Sequence, residues 1–290
     1  MTIEPPLPPL AMPTEPDFLR EALIALPVCI EHCQCPDHWH LLWAGLKASG
    51  LLRGVHAQAP MLRQLLQRRW VAGGRILIAG AADAGSLEVL HALYADTGAR
   101  YTVVDRCPAP LKLVEQRAQT LPVAVETRLS DLDALPPGET WDLVFIHYTL
   151  SFMDAATRAT VFRALKARLA PGGVIVCAIR YLEQPAAVVD ASAQARWQAA
   201  TEASLKSLFS DHPALLDPLL HGLPAYAASR QQREQHMPHV TVVRDEITAA
   251  GLAVEEEHAV TVQAPSARPD LSRAGTVQSR YLLAVHADAG

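Results

Sequence analysis

RILIAGAADAG, residues 75–85, decides the fold: a short, fully apolar run ends in Gly80 and passes into a turn of small residues. An uninterrupted apolar run closed by glycine suits a strand buried on both faces, as in a parallel sheet. Working outward, SLEVLHALYADTG (86–98) has helical spacing and YTVVD (101–105) is a second strand with a terminal acid. PAPLKLVEQRAQTL (108–121) predicts a helix, VAVETRLSD (123–131) a weaker strand and WDLVFIHYTL (141–150) the strongest strand of the chain. ATRATVFRALKARLA (156–170) predicts a helix, PGG (171–173) a turn and VIVCAIR (174–180) a strand. Strands alternating with helices at this spacing give βαβ units with right-handed crossovers. Regular structure resumes after residue 238 with the helix VTVVRDEITAAG (240–251) and the strands LAVEEE (252–257) and RYLLAVHA (280–287). These last two read as a hairpin joined by the polar loop APSARPDLSRAG (264–275).

Upstream of residue 75 the pattern is helical, without a strand signal. Residues 1–16 hold six prolines and read as a disordered or polyproline arm. Asp17 is a suitable cap for a helix through FLREALIAL to Pro27. The Cys/His-rich stretch CIEHCQCPDHWH (29–40) follows, with Pro36 and Asp37 resembling a helix start. HWHLLWAGLKASG (38–50) then places Trp39, Leu42, Trp43 and Leu46 on one helical face, and Pro60 opens a helix through MLRQLLQRRW (61–70). The division expected is an arm (1–16), an N-terminal helical cap (17–70) and an α/β core (71–290). A lid insert spans about 183–238, with a helix around ARWQAATEASLKSLFS (195–210) followed by an irregular Pro- and His-rich segment.

Composition excludes several classes. The chain has 290 residues, 50% of them hydrophobic, with a mean hydropathy of +0.11, which suits a packed fold rather than disorder. A net charge of −5 and a pI near 6.2 argue against sequence-independent nucleic-acid binding, which needs a basic surface. No apolar run reaches membrane-spanning length, and the N-terminus lacks a basic start and an apolar stretch of signal type. Five cysteines argue against a disulfide scaffold and for a reducing cytoplasm.

In an open parallel sheet, ligands bind at the carboxyl ends of the strands where strand order reverses. Three sites converge there: the turn Gly80, Ala81, Ala82, Asp83, Ala84, Gly85; Asp105 at the end of the second strand; and Asp131 after the third. Small residues admit a ligand close to the backbone, a strand-end carboxylate takes both hydroxyls of a ribose, and a carboxylate at the third site accepts from an adenine amino group. One nucleoside spans all three. The plainer alternative is a small-residue turn and solvated strand-end acids, both common in α/β proteins.

In this order, RILIAGAADAG, YTVVDR, LSDLDAL, WDLVFIHYTLSFM and LKARLAPGGVIV resemble the class I S-adenosylmethionine-dependent methyltransferases. The resemblance covers about residues 72–182, completed by 238–288. It implies a Rossmann-like, seven-stranded, mostly parallel sheet with helices on both faces, S-adenosylmethionine as cofactor, and a lid built from N-terminal helices and the insert. By position, Gly80, Ala81, Ala82, Asp83 and Gly85 would hold the methionine part, Asp105 the ribose, and Arg106, Asp131 and Leu132 the adenine. His147 would face both methionine and substrate, and is the catalytic candidate. The lid would bring His38, His40, Tyr226 and Arg230 toward the substrate, with Tyr148 from the core, and His221, His236 and His239 nearby. The glycine-rich loop departs from the family pattern, with Ala82 and Ala84 in place of glycines and Ile78 in place of the usual acid.

The leading expectation is methyl transfer to a small molecule, with a homodimer as the candidate assembly and without nucleic-acid or membrane partners, the accepting atom left open. The degenerate loop motivates a second reading, a non-catalytic binder of S-adenosylmethionine or S-adenosylhomocysteine. A NAD(P) oxidoreductase ranks lower, because Ala82 breaks the Gly-x-Gly-x-x-Gly fingerprint, and a P-loop is excluded, because no Gly-Lys-Ser/Thr follows Gly85. The Cys29–His40 stretch is dense in Cys29, His32, Cys33, Cys35, His38 and His40. Its cysteine spacing matches neither a zinc knuckle nor a radical-cluster motif, so no metal is assigned.

Overall fold

The computed structural model describes residues 15–66, 73–95, 97–182, 191–235, 238–260 and 277–286. The Pro-rich arm up to residue 14, His236 and the 264–275 loop lie outside the described residues. Strands β1 (Arg75–Ala79), β2 (Arg100–Asp105), β3 (Ala124–Leu129), β4 (Trp141–His147), β5 (Leu169–Leu182), β6 (Leu252–Val260) and β7 (Val277–His286) form one sheet, ordered β3-β2-β1-β4-β5-β7-β6. β1 pairs in parallel with β2 and β4, β2 with β3 and β4 with β5, while β7 runs antiparallel to both β5 and β6. The expected Rossmann-like sheet and closing hairpin are therefore present.

Alternation along each strand explains why both faces are covered. Ile76 and Ile78 of β1, with Val103, Phe145 and Val176, pack on one face beneath α3 (Ala59–Leu66) and α4 (Gly85–Leu93). Leu77 and Ala79, with Val144, Ile146 and Ile175, face α6 (Ala155–Lys166) and α9 (Val240–Ala249). Ile78, where the family often has an acid, is 1% exposed and serves the core. Arg158 of α6 forks onto both carboxylate oxygens of Glu246 in α9, at 2.8 and 2.7 Å, in a buried, charge-assisted pair.

Several local expectations are corrected. The first helix, α1 (Glu15–His32), runs through Pro27 instead of ending there, and Asp17 lies inside it rather than capping it. Proline removes one backbone hydrogen bond, but burial of Ala22, Leu26 and Cys29 against the cap core holds the helix together. α2 (Trp39–Ala48) starts at His38, which is left-handed with φ 52°, and Asp37 instead receives hydrogen bonds from Ser229 and Arg233 at 2.7 Å. The PGG stretch is not a free turn but a register irregularity inside β5: Trp141 pairs with Leu169 and Leu143 with Val174.

The irregular segment expected late in the insert is a helix. α7 (Ala191–Leu208) is followed by α8 (Pro213–Gln235), which contains Pro218 and Pro224. Leu219, Leu223 and Tyr226 of α8 are buried with Leu42 and Leu46 of α2, with Phe209, and with Leu113 of α5 (Pro108–Ala118). Cap and insert thus share one apolar core above the sheet.

Candidate active site

The strand order reverses between β1 and β4, so the ends of β1, β2 and β4 meet at one edge. Gly80 closes β1 at φ +86°, and a Cβ there would run into the Thr149 side chain. Thr149 in turn donates to Ala79 O at 3.0 Å, fixing the connector after β4 against the loop after β1. Among the described residues the non-glycine residues with positive φ are His38 and Tyr148, so neither Ala82 nor Ala84 is strained. The loop needs glycine at position 80 but not at 82 or 84. Substituting Gly80→Ala should cost about 1–3 kcal/mol, from left-handed strain plus the clash. A urea melt matching wild type would contradict this.

Asp83, expected to face the methionine part, has its carboxylate committed to the cap. It accepts from Lys47 Nζ at 2.8 Å, Trp43 Nε1 at 3.0 Å and Gly85 N at 2.8 Å, and the buried Lys47 ammonium holds it below the usual carboxylate range. Lys47 also pairs with Glu21 of α1 at 3.0 Å. A mostly apolar cavity of about 180 Å³ lies beside these groups, lined by Phe18, Ala25, Trp43, Ala84 and Leu113.

Asp105 is half-buried at the end of β2 and receives Ala81 N at 2.9 Å and Cys107 N at 2.8 Å, one on each oxygen. Burial raises its pKa. A carboxylate has about four acceptor positions, so two backbone N–H groups orient it and leave capacity for a diol. Arg106 and Asp131 are exposed beside it, whereas Leu132 is 6% exposed and packs beneath. His40 of α2 reaches the loop after β1, its Nε2 donating to Ala81 O at 3.2 Å.

His147 closes β4 with its ring 4.4 Å from that of Tyr148 and 6.3 Å from that of Tyr281. Its Nε2 donates to Gln58 Oε1 at 3.1 Å. Gln58 also accepts from the Tyr281 hydroxyl at 2.5 Å and donates to the Tyr148 hydroxyl at 3.0 Å. Burial, with the Arg180 cation second, pushes His147 down to about 3. The ring is thus a neutral Nε2–H tautomer whose Nδ1 lone pair remains an acceptor. Tyr148 holds φ 61°, a strained conformation of the kind that gathers at functional sites.

Above this edge lies an aromatic wall. Trp39 is 5.3 Å from Phe152 and 6.2 Å from Tyr226, Arg233 lies 4.8 Å over Phe152, and Arg180 lies 5.1 Å over Tyr148. Arg230 stacks 4.2 Å over Trp197. His38 faces His221 at 6.4 Å, and His239 caps α9 by accepting from Thr241 N. Sequence reasoning missed Lys47, Gln58, Cys107 and Arg180, none of which sits in a local motif; each acquires its place through a long-range contact.

Residues 76–173 match the family described as a methyltransferase domain. Among solved structures, the cyclopropane synthase MmaA2 from Mycobacterium tuberculosis is 9% identical, covering 92% of this chain and 97% of that one at a TM-score of 0.54. Geranyl diphosphate methyltransferase in complex with SAM is 15% identical, covering 79% of this chain and 84% of that one at a TM-score of 0.53. At such identities the likeness is one of fold. No curated protein matches the sequence. The methyltransferase-domain match spans β1 to the start of β5, the part of the sheet whose strand ends meet at this edge.

Proposed function

We propose that this chain transfers a methyl group from S-adenosylmethionine to a small-molecule acceptor. The observation that carries the reading is the meeting, at one sheet edge, of the Gly80–Gly85 loop, the oriented Asp105 carboxylate and the His147–Gln58–Tyr148 network. These groups fit the cofactor. Asp105 has acceptor positions left for a ribose, Asp131 and Arg106 flank the adenine position, and the loop at Gly80 lets the backbone approach the amino-acid end. When bound, the cofactor supplies an electrophilic methyl group on a sulfonium.

The chain's own work is positioning, which supplies several kcal/mol when the reacting atoms are held in line. His147 is too weakly basic to collect a proton near neutral pH, since a general base works best with a pKa near the working pH. Its Nδ1 instead accepts a hydrogen bond from the acceptor and orients it. Trp39, Phe152, Tyr148 and Tyr226 suit an apolar or planar acceptor body, and the exposed Arg180 suits an anionic group on it. The acidic balance disfavours nucleic acid, and the free thiols suit the cytoplasm. No helix among the described residues is long and apolar enough to cross a membrane.

The unstrained Ala82 and Ala84 remove the main ground for a non-catalytic binder. Titration calorimetry should show binding of S-adenosylhomocysteine and none of NADH. Asp105→Ala should weaken that binding at least about tenfold, the loss of charge-assisted hydrogen bonds amounting to about 1.5–3 kcal/mol. Unchanged affinity in the folded variant would remove Asp105 from the site. Turnover against a metabolite panel separates enzyme from binder.

A further inference from the structure

Cys33 and Cys35 from the connector after α1, His40 from the first turn of α2 and Cys107 from the N-cap of α5 bring their ligand atoms within 4.8 Å of one another. Cys35 Sγ is 3.3 Å and Cys33 Sγ 3.7 Å from His40 Nδ1. A tetrahedral zinc with bonds of about 2.3 Å to sulfur and 2.0–2.1 Å to nitrogen sets that edge at about 3.6 Å. The observed pair brackets it.

Two further observations point the same way. His40 Nε2 donates to Ala81 O, so Nδ1 is the ring atom turned to the sulfurs, the arrangement a metal-bound imidazole requires. Gln34 N lies 3.4 Å from Cys107 Sγ and donates to it, an interaction that favours a thiolate. His40 and Cys107 are buried, Cys33 and Cys35 half-buried, and the three thiols are free rather than disulfide-bonded. Cys29, by contrast, packs into the cap core, His32 pairs with Glu31 and His38 faces His221.

We propose that Cys33, Cys35, His40 and Cys107 form a tetrahedral zinc site that staples the N-terminal cap to the carboxyl edge of the sheet. Three thiols and one imidazole are soft, borderline ligands that select zinc over magnesium or calcium. Four protein ligands close the coordination sphere, so the ion is structural and has no position for substrate. Binding displaces the three thiol protons to solvent. Cys107 follows Asp105 by two residues and donates its N–H to that carboxylate, while His40 holds Ala81 of the loop. The ion therefore fixes both walls of the cofactor edge.

The test uses the full chain, expressed with added zinc and purified under reducing conditions. Metal analysis should give one zinc per chain. Cobalt exchanged into the site should show tetrahedral d–d bands and a thiolate charge-transfer band. Cys107→Ser should weaken zinc at least about tenfold, while Cys29→Ser keeps the full content. His40→Cys should retain the metal and strengthen the cobalt charge-transfer band, a result that loss of folding could not mimic. A folded wild-type chain without metal overturns the site. So does a disulfide among the three cysteines under the same reducing conditions, or zinc content and affinity unchanged in Cys107→Ser. These readouts need neither cofactor nor turnover, so their failure would leave the proposed methyl transfer standing.

Discussion

Lys47→Met is expected to destabilise the folded chain by about 3–5 kcal/mol, the cost of leaving one partner of a buried ion pair uncompensated. The ammonium is 8% exposed and joins Asp83 of the loop to Glu21 of α1. Methionine keeps the length and apolar stem of lysine, so the loss isolates the charge. Trp43 and Gly85 would still donate to Asp83, but its half-buried carboxylate would lack its cation. Asp83→Asn in the same chain should restore part of the stability by removing the orphaned charge. The sign with pH follows from Asp83 being held below the ordinary carboxylate range. The unfolded chain takes up that proton first, so wild-type stability falls as pH drops through the carboxylate range. The Lys47→Met variant should have a shallower slope there. Chemical denaturation at pH 7 and pH 4 measures both, and a cost under about 1 kcal/mol at pH 7 would show that the cap does not depend on this pair.

His147→Ala should lower turnover on the order of 10²-fold while S-adenosylhomocysteine affinity changes less than tenfold, because misplacement of a reacting group costs about that much. The ring contacts Gln58, Tyr148 and the acceptor side of the edge rather than Asp105. Since its pKa lies near 3, the pH–rate profile of wild type should show no inflection from this residue between about pH 5 and 8. A depressed histidine pKa also has a stability consequence. Between about 6.5 and 3 the unfolded chain binds the proton and the folded chain does not, so stability declines as pH falls through that window. The slope is at most about 1.4 kcal/mol per pH unit, and His147→Gln should reduce it. If turnover survives in His147→Ala and only stability falls, the ring is a packing residue. Gln58→Ala, which frees the ring without removing it, should reproduce part of the turnover loss.

The sheet could be read from residues that carry its pattern locally. RILIA and WDLVFIH are largely apolar on both faces because parallel strands are covered on both faces. Helix ends were less legible. Pro27, Pro218 and Pro224 are local breakers, yet each lies inside a helix whose apolar side is buried in the shared cap core. A local rule worth about 3 kcal/mol yields when several buried side chains on the same helix oppose it.

Contiguous residues were enough to place the alternating strands and helices of the core and to set Asp105 and His147 at strand ends, because apolar runs and helical spacing are local signals; the seven-stranded sheet came with the family resemblance, and the left-handed conformation that requires Gly80 came with the fold. Only the tertiary structure decided what those groups touch. Asp83 turns to Lys47, 36 residues away, and His147 to Gln58, 89 residues away. Cys107 completes a set with Cys33, Cys35 and His40 that no spacing within residues 29–40 contains. Hydrophobic burial carries the cap and insert onto the sheet edge without regard to polar partners. The pairings made there join residues distant in sequence, and no local pattern records them.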